Sequence, residues 1–412
     1  MTIRPLGSTK LFQPLRLGKF QLKHRIVLAP LTRCRATEES PGVYVPNGLS
    51  VEYYTQRATD GGLLISEASP IHRYAVGYPR VPGIFTQSQI EGWHRVTDAV
   101  HTKGAFIICQ LWHVGRASLP KWLDGRKPLS STDVALKGSA FDGTVYGNNP
   151  PQKMTVRDIK ETVQQYVNAS KNAVMAGFDG VEVHCANGYL PDQFLNDNIN
   201  QRTDEYGGNI ENRCRFPLDI IKAVTSAIGA DKVGVRFSPF SYFQDTHDSN
   251  PVEHWVYICK QLASMPAKNK PIYVHMIEAD SGFEPDIGVR EKLEAMLVRL
   301  SGVSAEKAQS LSDQDLIARF TLDPFRKALE GSDIKLITCG GLTRDTAVQK
   351  VENNKADLVA FGRLFISNPD LPNRLKDGEP FAEYDQKTFY EAQPMSHGYL
   401  DYPCYESAIS GR

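Results

Sequence analysis

Eight short apolar runs, rich in β-branched residues, recur along the chain with longer segments of helical periodicity between them. They are Arg25 to Pro30, Gly62 to Ala68, Ala105 to Leu111, Gly177 to His184, Lys232 to Ser238, Pro271 to Glu278, Asp333 to Gly341 and Ala356 to Arg363. Nearly continuous apolarity, rather than strict alternation, is what a strand buried on both faces requires, and that is the condition of a parallel sheet covered by helices. The intervening periodicity predicts helices over Val51 to Thr59, Gln89 to Lys103, Thr155 to Ala176, Ile210 to Ile228, Val252 to Ser264 and Arg344 to Asn353. Thr155-Val-Arg-Asp158 and Ser88-Gln-Ile-Glu91 supply capped starts, and Gly104, Gly177 and Gly229 supply stops. Eight strands alternating with helices predict an α/β fold, a closed (β/α)8 TIM barrel. An open doubly wound sheet is the alternative, but the Gly-x-Gly-x-x-Gly turn it would place after the first strand is missing.

Three stretches exceed a minimal barrel. Leu11 to Lys23 reads as an N-terminal hairpin turned at Gly18-Lys19, suited to plug the barrel's N-terminal end. A long βα-loop insertion, about 113–154, carries an Asp142-Gly143 hairpin signal within Ser139 to Tyr146 and would lie over the active face. A second insertion, about 279–332, has helical patterning from Val289 to Leu300 and from Asp313 to Phe320; loops of this length are usually substrate-facing lids or disordered insertions, and a lid is the expectation here. The whole of 1–412 is expected to form one domain.

Composition narrows the class. With 47 Lys+Arg against 47 Asp+Glu among 412 residues, the chain has no basic field to hold nucleic acid, and no stretch is apolar for long enough to span a membrane. Small molecules are the expected partners. The seven cysteines are scattered and none forms a Cys-x-x-Cys pair, so a zinc ribbon or a cysteine-ligated iron–sulfur cluster lacks ligands at short spacing. Reduced thiols and a start without an apolar leader give a cytoplasmic expectation.

In a barrel, chemistry belongs at the C-terminal ends of the strands. Those ends carry Pro30-Leu31-Thr32, Gln110-Leu111-Trp112, His184 with Asn187 and Tyr189, Arg236, Gly340-Gly341 and Gly362-Arg363. Glycines after the last two strands, with an arginine, describe a phosphate site. His184 and Asn187 can direct two donors at one carbonyl oxygen, with Tyr189 near enough to deliver a proton. A satisfied core histidine and a rim tyrosine are the plainer reading of the same residues. Metal ligation is disfavoured because His113 and His275 form no ligand motif, and a Schiff base because no strand ends in lysine.

Pro30-Leu-Thr-Arg33, Val51-Glu-Tyr-Tyr-Thr-Gln-Arg57, Gln110-Leu-Trp112 and Gly180-Val-Glu-Val-His-Cys-Ala-Asn-Gly-Tyr-Leu190 resemble the old yellow enzyme family of flavin-dependent ene-reductases. Asp204-Glu-Tyr-Gly-Gly208, Glu211-Asn-Arg213, Phe361-Gly-Arg363, Ile366-Ser-Asn-Pro-Asp370, Thr388-Phe-Tyr390 and His397-Gly-Tyr-Leu-Asp-Tyr-Pro403 continue the match over nearly the whole chain. The resemblance implies non-covalent FMN, with Thr32 at the ring's O4/N5 edge, Gln110 on the pyrimidine, Arg236 at N1/O2, Pro30, Leu31 and Gly62 lining the ring, and Gly340, Gly341, Gly362 and Arg363 on the phosphate tail. It implies that NADPH reduces the flavin, after which an α,β-unsaturated carbonyl bound by His184 and Asn187 takes hydride at Cβ and a proton from Tyr189 at Cα. Trp112, Phe243 and Tyr390 match pocket-shaping positions. Thr32, in place of a cysteine, points to the classical branch, while Thr338 stands where many members carry an arginine before the glycines. A related protein recruited to isomerise or cyclise an intermediate, and a non-catalytic flavin binder, are the alternatives. The oligomer expected is a monomer or homodimer.

Overall fold

A computed structural model describes residues 3–140, 142–279 and 288–405. Its centre is a ring of eight parallel strands: β1 (Ile26–Leu28), β2 (Leu63–Ile65), β3 (Phe106–Trp112), β4 (Gly180–Cys185), β5 (Val233–Phe237), β6 (Tyr273–Ile277), β7 (Lys335–Cys339) and β8 (Leu358–Phe361). Each pairs with the next in chain order, and β8 returns to β1 with Val359 opposite Ile26, so no sheet edge is left among these strands. β1 to β7 are buried along nearly their whole length, which is why the sequence writes them as continuous apolar runs.

Helices close the outside: α1 (Gly48–Arg57), α2 (Gln87–His101), α3 (Val156–Met175), α4 (Ile210–Ile228), α5 (Pro251–Ser264), α6 (Asp323–Ala328), α7 (Arg344–Glu352) and α8 (Leu371–Asp377). Thr155 and Asp158 form the expected capping box. The cap of α2 is Thr86 with Gln89, two residues before the expected Ser88, because Gln89 Oε1 reaches back to the Thr86 N–H at 3.1 Å. α1 likewise starts early, where Asn47 Oδ1 accepts from the N–H groups of Leu49 and Ser50.

The N-terminal hairpin pairs Leu15–Leu17 with Phe20–Leu22 around Gly18-Lys19. Gly18 has φ +56°, and a Cβ there would stand 2.9 Å from the Asp231 carbonyl, so glycine is required where the turn meets the barrel. Its Leu17, Phe20 and Leu22 join Val27, Leu63, Ile108, Tyr273 and Ile337 in one apolar cluster that fills that end of the barrel. In the first insertion the Asp142-Gly143 turn is flanked by a single antiparallel bridge between Ser139 and Val145, with no ladder among the described residues. The second insertion holds Val289–Ser301, Ala305–Gln309, Asp313–Ile317 and α6, and α6 packs on α5 as the barrel helix that follows β6.

The segment that follows α8, residues 386–400, is tied back across the barrel by buried arginines. Arg33 donates to the carbonyls of Phe389 at 3.0 Å and Gly398 at 2.8 Å, and Arg35 to those of Thr388 and Tyr390 at 2.7 Å and Met395 at 2.8 Å. Arg57 lies 3.7 Å over the ring of Tyr53, which stacks on Tyr399 at 4.2 Å. The partners of all three guanidiniums are mainly main-chain oxygens, and Arg33 Nη1 is buried without one among the described residues.

Candidate active site

A cavity of about 970 Å³ opens at the C-terminal ends of the strands, a size suited to a cofactor with a small substrate. Pro30, Leu31, Thr32, Gln110, Trp112, His184, Asn187, Tyr189, Arg236, Phe243, Gly340, Gly341, Gly362, Arg363 and Tyr390 all line it. Gly62 does not. It precedes β2 at the opposite end of the barrel, where a Cβ would strike Thr59 and His24; the lining residues beyond the C-terminal end of β2 are Ala68 and Tyr78. None of residues 288–332 is among the lining residues, so the described part of the second insertion forms no cover over the cavity, and 280–287 lie outside the described residues. The cover comes from Leu136 to Ala140 and Tyr146 of the first insertion and from Tyr242 to Asp245 after β5.

β4 delivers His184, and the turn after it delivers Asn187 and Tyr189. Asn187 has φ +59° and Gly188 φ +73°, a left-handed pair that asparagine and glycine tolerate best. Three buried groups hold the turn: Ser238 Oγ accepts the Asn187 N–H at 2.7 Å, Asp192 Oδ2 accepts the Gly188 N–H at 2.8 Å, and Gln193 Nε2 donates to the Gly188 carbonyl at 2.7 Å. Gly188 also lets the β5 loop approach, since a Cβ would stand 2.7 Å from that of Gln244.

His184 Nδ1 and Asn187 Oδ1 are sealed from solvent without a hydrogen-bond partner among the described residues. Buried polar atoms left this way are costly unless a ligand completes them. Burial, then the nearby Arg236 and His275, push the His184 pKa well below its ordinary value, so its imidazole is neutral, with one ring N–H available to donate a hydrogen bond. Burial raises the Tyr189 phenol, which keeps its proton at neutral pH. The Tyr189 ring stands edge-on to Trp112, centroids 4.8 Å apart at 89°, and its O–H donates to Tyr78 Oη at 3.3 Å. Tyr78 itself stacks on Trp112 at 5.3 Å. Sequence reading missed Tyr78, which comes from the loop after β2 and belongs to no motif.

The opposite end of the cavity carries the glycines. Gly340 and Gly341 have φ +106° and +61°, so two consecutive main-chain N–H groups face their surroundings without side chains, as anion sites require. Thr338 points elsewhere and donates to Glu278 at 2.5 Å, which Lys350 also contacts at 2.6 Å. Arg236 has a sealed Nε without a partner among the described residues and reaches Cys339 Sγ at 3.7 Å with Nη2. A phosphate at the glycines and a planar ring between Leu31, Gln110 and Arg236 fit the residues present.

A closed barrel whose cavity has consecutive positive-φ glycines at one end and a buried histidine, asparagine and phenol at the other is compatible with a flavin oxidoreductase. The chain belongs to the NADH:flavin oxidoreductase / NADH oxidase family, whose model matches residues 10–301 and 304–381. It is an FMN-dependent oxidoreductase of the old yellow enzyme type. It is 54% identical over 393 residues to the flavin oxidoreductase hxnT of Emericella nidulans, covering 95% of this chain and 97% of that protein. It is 43% identical over 397 residues to a putative 12-oxophytodienoate reductase 2 of Oryza sativa subsp. japonica, covering 96% and 94%. Among solved structures, morphinone reductase in complex with tetrahydroNAD matches with a TM-score of 0.78 and 37% identity over 97% of this chain and 98% of that one. The old yellow enzyme homologue from Zymomonas mobilis matches with a TM-score of 0.79 and 34% identity, covering 96% and 99%.

Proposed function

We propose that the protein uses NADPH to reduce the activated C=C bond of α,β-unsaturated carbonyl compounds. The observation that carries this reading is the sealed His184 Nδ1, without a hydrogen-bond partner among the described residues, beside the protonated Tyr189 and the Asn187 carboxamide, whose Nδ2 is its donor, at the end of the cavity away from the glycines. When bound, FMN supplies the hydride chemistry. Gly340, Gly341, Gly362 and Arg363 hold its phosphate; Pro30, Leu31, Thr32, Gln110 and Arg236 surround its ring. The Arg236 cation favours a ring that gathers negative charge on reduction.

His184 and Asn187 direct hydrogen bonds at the substrate carbonyl oxygen and stabilise the enolate formed as hydride reaches Cβ. Neutral His184 has no spare proton to give without becoming an anion, so Tyr189 delivers the proton to Cα. Trp112, Phe243 and Tyr390 shape the space for the carbon skeleton, and the covering loops exclude water.

Denaturing the purified protein tests the cofactor: FMN is expected in the supernatant, and FAD or no flavin after reconstitution refutes the reading. Anaerobic addition of NADPH, then of 2-cyclohexenone, should bleach and restore the flavin absorbance with saturated ketone as product. Bleaching without ketone refutes the substrate class.

A further inference from the structure

Below the residues just described, the barrel interior holds a polar network that carbonyl activation leaves unused. Glu182 lies two residues before His184 on β4, so both side chains leave the strand on one face. Its carboxylate is fully buried: Oε1 accepts from Gln110 Nε2 at 2.7 Å on β3, and Oε2 lies 3.0 Å from His275 Nδ1 on β6. Burial works against the charge on Glu182, but His275, Arg236 and the hydrogen bond from Gln110 outweigh it and hold its pKa below the ordinary value. Burial likewise opposes a charge on His275, and Cys339 with Glu182 overcomes it, raising His275. An ionised carboxylate only accepts hydrogen bonds, so Gln110 must turn its NH₂ toward Glu182, and His275 must carry its proton on Nδ1.

We propose that Glu182, anchored by His275, is a positioning residue for the cofactor: it locks the Gln110 carboxamide so that one acceptor and one donor face the cavity. That pair complements the adjacent N–H and C=O groups on the pyrimidine edge of a flavin. The proposal rests on the FMN reading above. Without the carboxylate, Gln110 turns freely about its last bond, and the order of donor and acceptor must be fixed anew each time FMN binds.

A double-mutant cycle on FMN binding by apoprotein, followed by quenching of flavin fluorescence, tests it with Glu182→Gln, Gln110→Ala and the pair. Each single change should raise the FMN dissociation constant about tenfold, the size of one charge-assisted hydrogen bond. In the Gln110→Ala background, Glu182→Gln should add less than about twofold, because its effect passes through the missing amide. Losses that multiply, with thermal stability of the apoprotein falling equally in both backgrounds, would show a merely structural carboxylate and overturn the proposal. If Glu182→Gln does not fold, His275→Leu reaches the same anchor from its far side and is held to the same non-additivity. A wild-type apoprotein that binds no FMN overturns the cofactor reading and the anchor with it, whereas multiplicative losses in a protein that does bind FMN overturn the anchor alone.

Discussion

Replacing Tyr189 by phenylalanine removes one oxygen and leaves its surroundings nearly intact. The ring keeps its edge-on contact with Trp112 at 4.8 Å and its contact with His184 at 5.1 Å. The lost hydrogen bond to Tyr78, at 3.3 Å, is long and part-buried, so stability should fall by no more than about 1 kcal/mol. Chemistry should suffer far more. With His184 held neutral, the nearest remaining acid is Tyr78, whose oxygen stands 3.3 Å from the one removed. A displacement of even ~1 Å can cost about 10² in rate, so Tyr78 cannot take over efficiently. Loss of a general acid costs roughly 10² to 10⁴, and the upper half of that range is expected for enone reduction by Tyr189→Phe. Stopped-flow on each half-reaction separates the causes. Reduction of the flavin by NADPH needs no proton at substrate Cα and should stay within a few-fold of wild type, while reoxidation by 2-cyclohexenone should fall by the full factor. A nitroalkene should lose less at the hydride step, since its anion is stable enough to take a proton from water. Reoxidation by enone at the wild-type rate would refute the assignment, and an equal loss in the NADPH step would mean that Tyr189 shapes the pocket rather than supplying the proton.

His184→Ala with Asn187→Ala should lower enone reduction by at least about 10² while FMN stays bound, because loss of one oxyanion-type donor already costs about 10² to 10³; steady-state rates and the flavin absorbance of the purified variant check it. Burial pushes the Asp192 carboxyl up to about 7 from 3.8, whereas the unfolded chain releases that proton near its ordinary value. The folded state therefore binds more protons between those values, and stability falls as pH rises through that window, by at most about 4 kcal/mol from this group. Asp192→Asn keeps an acceptor for the Gly188 N–H and removes the titration, so its melting temperature should drop less than that of wild type between pH 5 and pH 8 in parallel thermal scans. Ser238→Ala frees the Asn187 N–H and should raise KM for enones several-fold, with NADPH oxidation rates held within about twofold; the steady-state KM and kcat of the two half-reactions decide it.

The strands were legible because a strand buried on both faces must be written in apolar residues almost throughout, and β3 and β4 show this most fully. Direction along a run is harder to read. The run from Gly62 to Ala68 contains only Leu63–Ile65 as strand, and nothing in its composition says that Ala68 rather than Gly62 faces the cavity. His184, Asn187 and Tyr189, which line the cavity together, stood out because their spacing concentrates polar groups at one strand exit. Tyr78 was not, because a loop residue brought to Tyr189 by packing leaves no pattern in the chain. The hairpin of Thr37–Ser40 with Val43–Val45 was also missed: its first strand is exposed throughout, so hydrophobic patterning has nothing to report. Glu182 and His275 were visible as letters, but only the barrel's closure brings β3, β4 and β6 close enough for their side chains to meet.

Arg33 and Arg35 grip the segment that carries Phe389 and Tyr390 by its carbonyl oxygens, which every residue type possesses. Attachment and identity are thereby uncoupled along this wall of the cavity. Position 390 can be exchanged for a smaller, larger or polar side chain and the new residue inherits the same anchorage, whereas a change at Arg35 would loosen the wall whatever it displays. For anyone reshaping the catalyst toward bulkier substrates, the strap is a cassette: a library at the exposed position 390 samples pocket contours at little risk to folding, provided the two arginines beneath and the buried Phe389 are left alone.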